Sequence, residues 1–240
     1  MLSLPMTHPG LAPWTRAAAL AMALAATLPL AAAVDPAPVP VRFEPHHHLV
    51  LENAYIRLYD VQIPPGSPTL YHRHAAPTVF VQLNESRGAA QDLGEAPTAG
   101  QLVPAGFARF AAYDAKPITH RAFALGPKVS HTLAIELLRP PAQLDRTPPP
   151  VRSGLKLDWE HRQVRLYRLH LRPNQTCPVP ADRCAHLLIA ITGPIIADPS
   201  PAPRRRELQA EDYAFFDPGT TLWVQNRGSA IGDCVLLELP

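Results

Sequence analysis

From residue 46 onward the sequence is a succession of short apolar or alternating runs separated by turn-forming residues. Leu49 to Glu52, Tyr55 to Ile63, Thr78 to Leu83, Phe107 to Tyr113, Ile118 to Leu125 and His131 to Leu138 each read as a strand. Residues 140–154 break the pattern with Pro140-Pro141 and Pro148-Pro149-Pro150, the composition of a stiff extended linker. Strand-like runs then resume at Val164 to Leu171, Leu187 to Thr192, Leu222 to Arg227 and Asp233 to Leu239. The 30 prolines in 240 residues, about two and a half times average usage, interrupt the chain too often for long helices. An all-β chain of sandwiches or barrels is predicted.

The two halves repeat. Arg57-Leu58-Tyr59 recurs as Arg165-Leu166-Tyr167, Pro65 falls on Pro173, and Val79-Phe80-Val81 on Leu187-Leu188-Ile189, all at one offset. Near the ends of the halves, Gly126 and Glu136 match Gly228 and Glu238. This predicts two diverged copies of one β unit, over residues 46–139 and 155–240, joined by the linker at 140–154 and preceded by a Pro-rich lead-in at 34–45.

Residues 1–33 belong to neither copy. Arg16, the Ala- and Leu-rich run Ala17 to Leu30, and Ala31-Ala32-Ala33 have the order of a secretory signal peptide. The apolar run is too short to span a bilayer as a helix, which needs about 20 residues. The expectation is a secreted or periplasmic protein with no stable membrane insertion after cleavage. In such a compartment cysteines tend to pair, so a Cys177–Cys184 bridge across a turn-rich loop, with Cys234 buried and unpaired, is one reading, and three unpaired structural thiols is the other. Net charge is only +2, and no basic stripe interleaved with aromatics occurs, which argues against a nucleic-acid partner and for a small molecule.

The chemistry concentrates in His72-Arg73-His74, where two imidazoles at i and i+2 leave a strand on the same face. Lys116-Pro117-Ile118-Thr119-His120 supplies a third within another strand. Three convergent neutral imidazoles suit one divalent transition metal, Fe, Mn, Ni, Cu or Zn, and leave positions open for water or substrate.

Gly66, the His72-x-His74 pair, the Pro104-Ala105-Gly106 turn and His120 before a Gly-containing hairpin together resemble the two motifs of the cupin superfamily. The resemblance implies double-stranded β-helix (jelly-roll) barrels and, with two copies, a bicupin. It places the metal ligands on His72, His74 and His120. The usual glutamate ligand corresponds to Thr78, and an asparagine common after the last histidine corresponds to Ala124, so a three-histidine site is implied. Some cupins with such sites are Fe(II) dioxygenases. In the second copy the ligand positions correspond to Pro180, Asp182 and Leu222, and Thr78 to His186, which predicts a degenerate barrel without the site.

Tyr71, Thr78, Phe80 and Phe110 are candidates to line a pocket beside the ligands, whereas Arg73 and Arg121 should face away by alternation. His46-His47-His48 reads as an exposed polar run, with a labile Cu or Zn patch as the lesser alternative, and His131 as an edge residue. Two functions follow: an exported metal-dependent enzyme, of the oxygenase type or another, acting on a small molecule, or a non-catalytic metal- or ligand-binding module. Since cupins often assemble through outer strands, either an intramolecular two-barrel unit or a homodimer of such units is expected.

Overall fold

The computed structural model describes residues 37–140, 154–161, 163–180, 183–201 and 204–239. The signal-peptide reading, most of the linker and Asp182 lie outside them. The described residues all belong to one compact unit. In the first half the strands are β1 (Val39–Pro40), β2 (His47–Glu52), β3 (Ile56–Ile63), β4 (His72–His74) and β5 (Thr78–Gln82). They continue with β6 (Ser86–Asp92), β7 (Gln101–Val103), β8 (Ala108–Ala111), β9 (Ile118–Ala124) and β10 (Ser130–Leu137). In the second half come β11 (Leu155–His161), β12 (Val164–Leu171), β13 (Thr176–Val179), β14 (Ala185–Ala190) and β15 (Ile195–Ser200). The last four are β16 (Arg206–Leu208), β17 (Tyr213–Phe216), β18 (Thr221–Asn226) and β19 (Gly232–Leu239).

Each half is a pair of facing sheets with the same strand order. In the first half these are β2-β3-β10-β5-β8 and β1-β4-β9-β6-β7, and in the second β11-β12-β19-β14-β17 and β13-β18-β15-β16. Only β1, which pairs in parallel with β4, has no counterpart. The register shift in β2 between Leu49 and Leu51 recurs in β11 between Leu157 and Trp159, at the offset that relates the sequence repeats. An ion triad with one buried and one exposed carboxylate is also built twice. Arg57 donates to Glu52 and Glu136, and Arg165 to Glu160 and Glu238.

Alternation on the central strands separates two apolar layers. Leu58, Val79, Val81, Leu133 and Ile135 of the first half pack with Leu166, Leu187, Ile189, Val235 and Leu237 of the second in one core. The β2-β3-β10-β5-β8 and β11-β12-β19-β14-β17 sheets are therefore buried on both faces, which explains why their central strands read as almost continuous apolar runs. Polar contacts rim this layer: Arg168 donates to the Gly106 carbonyl, and the ring nitrogens of His131 lie 2.8 Å from Asp60 and 2.6 Å from Glu211. His131 thus joins the two halves through its carboxylate partners.

The opposite faces point into the barrels, and there the copies differ. The second barrel is filled by Tyr167, Leu169, Leu188, Leu222, Val224 and Leu236 with their neighbours, a continuous apolar core. The first barrel has a small inner cluster around Tyr59, Val61, Ile63 and Ala134, and the remaining space is a cavity of about 450 Å³. Cys177 lies within the second barrel's core, whereas the Cys184 thiol faces the Glu238 carboxylate at 3.8 Å. All three cysteines are thiols, so the disulfide reading is not realised: the two side chains are committed to different surroundings on β13 and at the start of β14.

Candidate metal centre

β4 is three residues long, with His72 and His74 buried and Arg73 between them exposed. Alternation thus sends both imidazoles into the first barrel. Across the antiparallel β4–β9 ladder His120 is the direct partner of His72. The His120 ring centroid lies 4.7 Å from that of His72 and 5.1 Å from that of His74. The three sequence-identified histidines share one end of the barrel interior.

A fourth imidazole joins them. His47, the first residue of β2, is buried, and its ring nitrogens come within 4.8 Å of those of His72 and His74. Its ring centroid is 4.6 Å from that of His72. The middle histidine of the His46-His47-His48 run therefore points inward, opposite to the exposed-run reading, because β2 starts here and its alternation places only His47 on the inner face while His48 is exposed.

The tautomers follow from the acceptors. His72 Nδ1 donates to the Leu70 carbonyl at 2.9 Å, and His47 Nδ1 donates to Glu44 Oε2 at 2.6 Å. Since neither acceptor can donate, each Nδ1 carries a proton, and in the neutral imidazole Nε2 then carries the lone pair a metal needs. Glu44 is itself buried. Its carboxylate also accepts the backbone N–H groups of His46 and Leu70. Burial alone would raise its pKa, but the His47 bond and these N–H donors together hold it below the ordinary carboxylate value. A carboxylate behind a histidine, fixing its ring and increasing its basicity, is the usual outer support of a metal ligand. Glu44 was invisible in the sequence because the Pro-rich lead-in carries no strand pattern. The spacing Glu44-x-x-His47 was the available signal.

The residues fit a divalent metal. His72 Nε2 and His74 Nε2 are 3.1 Å apart, about the spacing of neighbouring ligands bonded at roughly 2.1 Å to one ion. His74 Nδ1 is buried with no hydrogen-bond partner, so this side chain is poorly satisfied by the protein alone. Burial first, then the proximity of the other imidazoles, lowers the pKa of His72 to about 4, of His120 to about 3 and of His74 to about 2. Arg109 contributes to the last two shifts. All three are held neutral at physiological pH, the protonation state required of a ligand.

The histidines open onto the cavity, which His47, His72, His74 and His120 line together with Phe80 and Arg109. Of the four sequence candidates for pocket lining, only Phe80 is found there. Tyr71 faces the other side of β4, where the Arg121 guanidinium sits 4.7 Å above its ring. Phe110 points away from the barrel interior and stacks on His161 of the second half at 4.2 Å. Thr78 is fully buried, and its hydroxyl donates to the Ala76 carbonyl. The residue at the customary glutamate position thus offers no ligand, while His47 supplies a donor from outside the motif. In the second barrel, Leu222, at the position corresponding to His120, is part of the apolar core.

No family model matches the chain, and no curated protein matches it in sequence. Solved structures do. Pirin YhhW from Escherichia coli, in complex with nickel(II), is 17% identical, with a TM-score of 0.55 over 81% of this chain and 90% of that one. A cupin 2 conserved barrel protein from Leptotrichia buccalis is 9% identical, with a TM-score of 0.52 over 81% and 88%. HEPD from Streptomyces albus, with 2-hydroxyethylphosphonate and Fe(II) bound, is 8% identical, with a TM-score of 0.53 over 80% and 70%. At these identities the likeness is one of fold, and the fold is that of tandem cupin barrels.

Proposed function

We propose that this chain is an exported bicupin whose first barrel holds one divalent transition metal through His72, His74 and His120, with His47 as a further ligand, and acts as a metal-dependent enzyme on a small molecule. The observation that carries the reading is the cavity of about 450 Å³ whose floor is the four imidazoles. A bound metal would polarise a chelating oxygen of the substrate or, if redox-active, support oxygenation. The protein's part is to keep His72, His74 and His120 neutral by burying them, to orient His47 and His72 through Glu44 and the Leu70 carbonyl, and to seat the organic group against Phe80 and its neighbours. Export rests on the pattern of residues 1–33.

A non-catalytic, ligand-binding role is the second reading. It is favoured by the absence of any Asp or Glu among the described residues lining the cavity, which leaves no carboxylate there as general base.

Elemental analysis of the purified protein beside a His72→Ala/His120→Ala variant tests the metal. About one metal per chain in the parent and none in the variant supports the site. Equal, negligible metal in both after reconstitution would sink the enzyme reading. With a redox metal in place, substrate-dependent oxygen uptake separates catalysis from storage or sensing.

A further inference from the structure

Arg109 differs from the arginines built into ion pairs. Arg57, Arg165 and Arg168 are all held by carboxylates. Arg109 is exposed on β8, has no hydrogen bond or ion pair among the described residues, and lines the cavity that holds the histidines. It is the cross-strand partner of Phe80, and its guanidinium carbon stands 4.2 Å above the centre of that ring. Phe80 is in turn 5.8 Å from the His74 ring, so a single aromatic side chain separates the guanidinium from the metal centre. The guanidinium rests against the Phe80 ring, and its N–H groups have no acceptor among the described residues, which suits it to a planar oxyanion.

The surrounding wall carries no compensating negative charge. Val61, Ile63, Phe107, Ala122 and Phe123 provide apolar surface, and the polar lining side chains other than Arg109 and the histidines are uncharged glutamine, serine and threonine. Of the two lining glutamines, Gln82 is already occupied, donating to Ser86 and accepting from Thr132, and Gln101 is exposed on β7. The cavity therefore presents one cation, placed against Phe80, beside the imidazoles and a largely apolar wall. A neutral ligand would leave that guanidinium fork unused, whereas an anion gains charge-assisted hydrogen bonds in a partly enclosed site.

We infer that the cavity selects a small organic carboxylate with an apolar body, its carboxylate held by Arg109 and its remaining donor atom directed at the histidine cluster. Arg109 is thus the specificity-determining residue for charge. The inference rests on the proposed ligand-binding role of this cavity but not on which metal fills the centre.

Calorimetric titration with salicylate and with its neutral analogue salicylamide tests it, using protein with and without added cobalt(II). In the parent protein salicylate should bind about tenfold more tightly than salicylamide, the lower end for a charge-assisted contact at an open site. Arg109→Gln should abolish that preference and Arg109→Lys should retain part of it, with cobalt content and melting temperature unchanged in both. Equal binding of the two compounds by the parent, or an undiminished preference in Arg109→Gln, overturns the inference. An Arg109-dependent preference in protein that takes up no cobalt sustains it while refuting the metal centre, so the two failures are distinguishable.

Discussion

Glu44→Gln is the most informative single change at the centre, because it preserves shape while removing charge and one acceptor. The carboxylate, 2% exposed, accepts from His47 Nδ1 at 2.6 Å, from the His46 N–H at 2.8 Å and from the Leu70 N–H at 3.1 Å. A carboxamide has one oxygen. If that oxygen serves His47 and His46, its NH₂ group confronts the Leu70 N–H and a buried backbone donor loses its partner, at about 1–3 kcal/mol. The surviving bonds also lose their charge assistance, which roughly halves their strength. A stability loss of about 2 kcal/mol follows, which for a protein of this size lowers the melting temperature by about 4–8 °C. The same change loosens the His47 ring and reduces its basicity, and loss of an outer-shell partner typically weakens metal binding 10- to 100-fold. Competition against a chromogenic chelator with zinc(II) or cobalt(II) measures this, with Glu52→Gln as a control for carboxylate loss at the exposed Arg57 pair. If Glu44→Gln binds metal within about threefold of the parent while His47→Ala binds far less, the orienting role of Glu44 is refuted. If His47→Ala also binds normally, His47 is no ligand at all.

Other consequences are open to direct measurement. The metal-free protein should lose stability as pH falls below about 6.5: His72, with a folded pKa near 4, takes up its proton more readily unfolded, costing about 3 kcal/mol by pH 4. Urea midpoints that do not fall between pH 7 and 4.5 would contradict the buried neutral state, and metal should raise the midpoint at pH 7. Glu238→Gln should cost more stability than Glu136→Gln, about 3 kcal/mol against less, because Glu238 also accepts the Tyr167 hydroxyl and Arg165 is better buried than Arg57; equal melting temperatures would show the duplicated triads to be equivalent. Leu237→Ala, in the layer shared by both halves and fully buried, should cost about 2–5 kcal/mol while leaving metal stoichiometry at its parental value, and calorimetric melting with metal analysis reports both.

The sequence alone was enough for the elements that rest on local chemistry. Strand periodicity and the proline content gave an all-β chain, and the aligned Arg57-Leu58-Tyr59 and Arg165-Leu166-Tyr167 segments gave the duplication, because each copy must satisfy the same backbone pattern. The shared inward face of His72 and His74 was equally legible, since i and i+2 on a strand project together wherever the strand lies. Pairing of β4 with β9 was needed to bring His120 beside them. Only the tertiary structure decided which of His46, His47 and His48 enters the barrel, because that depends on where β2 begins and how it registers with β3. It likewise decided that Phe110 serves the layer between the halves while its neighbour Arg109 serves the cavity, since adjacent strand residues take opposite faces and the face that meets solvent, ligand or a second sheet is fixed by packing. The difference between an open first barrel and a filled second one has the same origin. Both copies carry the strand pattern, and whether the inward side chains close the interior depends on their volumes summed across strands far apart in sequence.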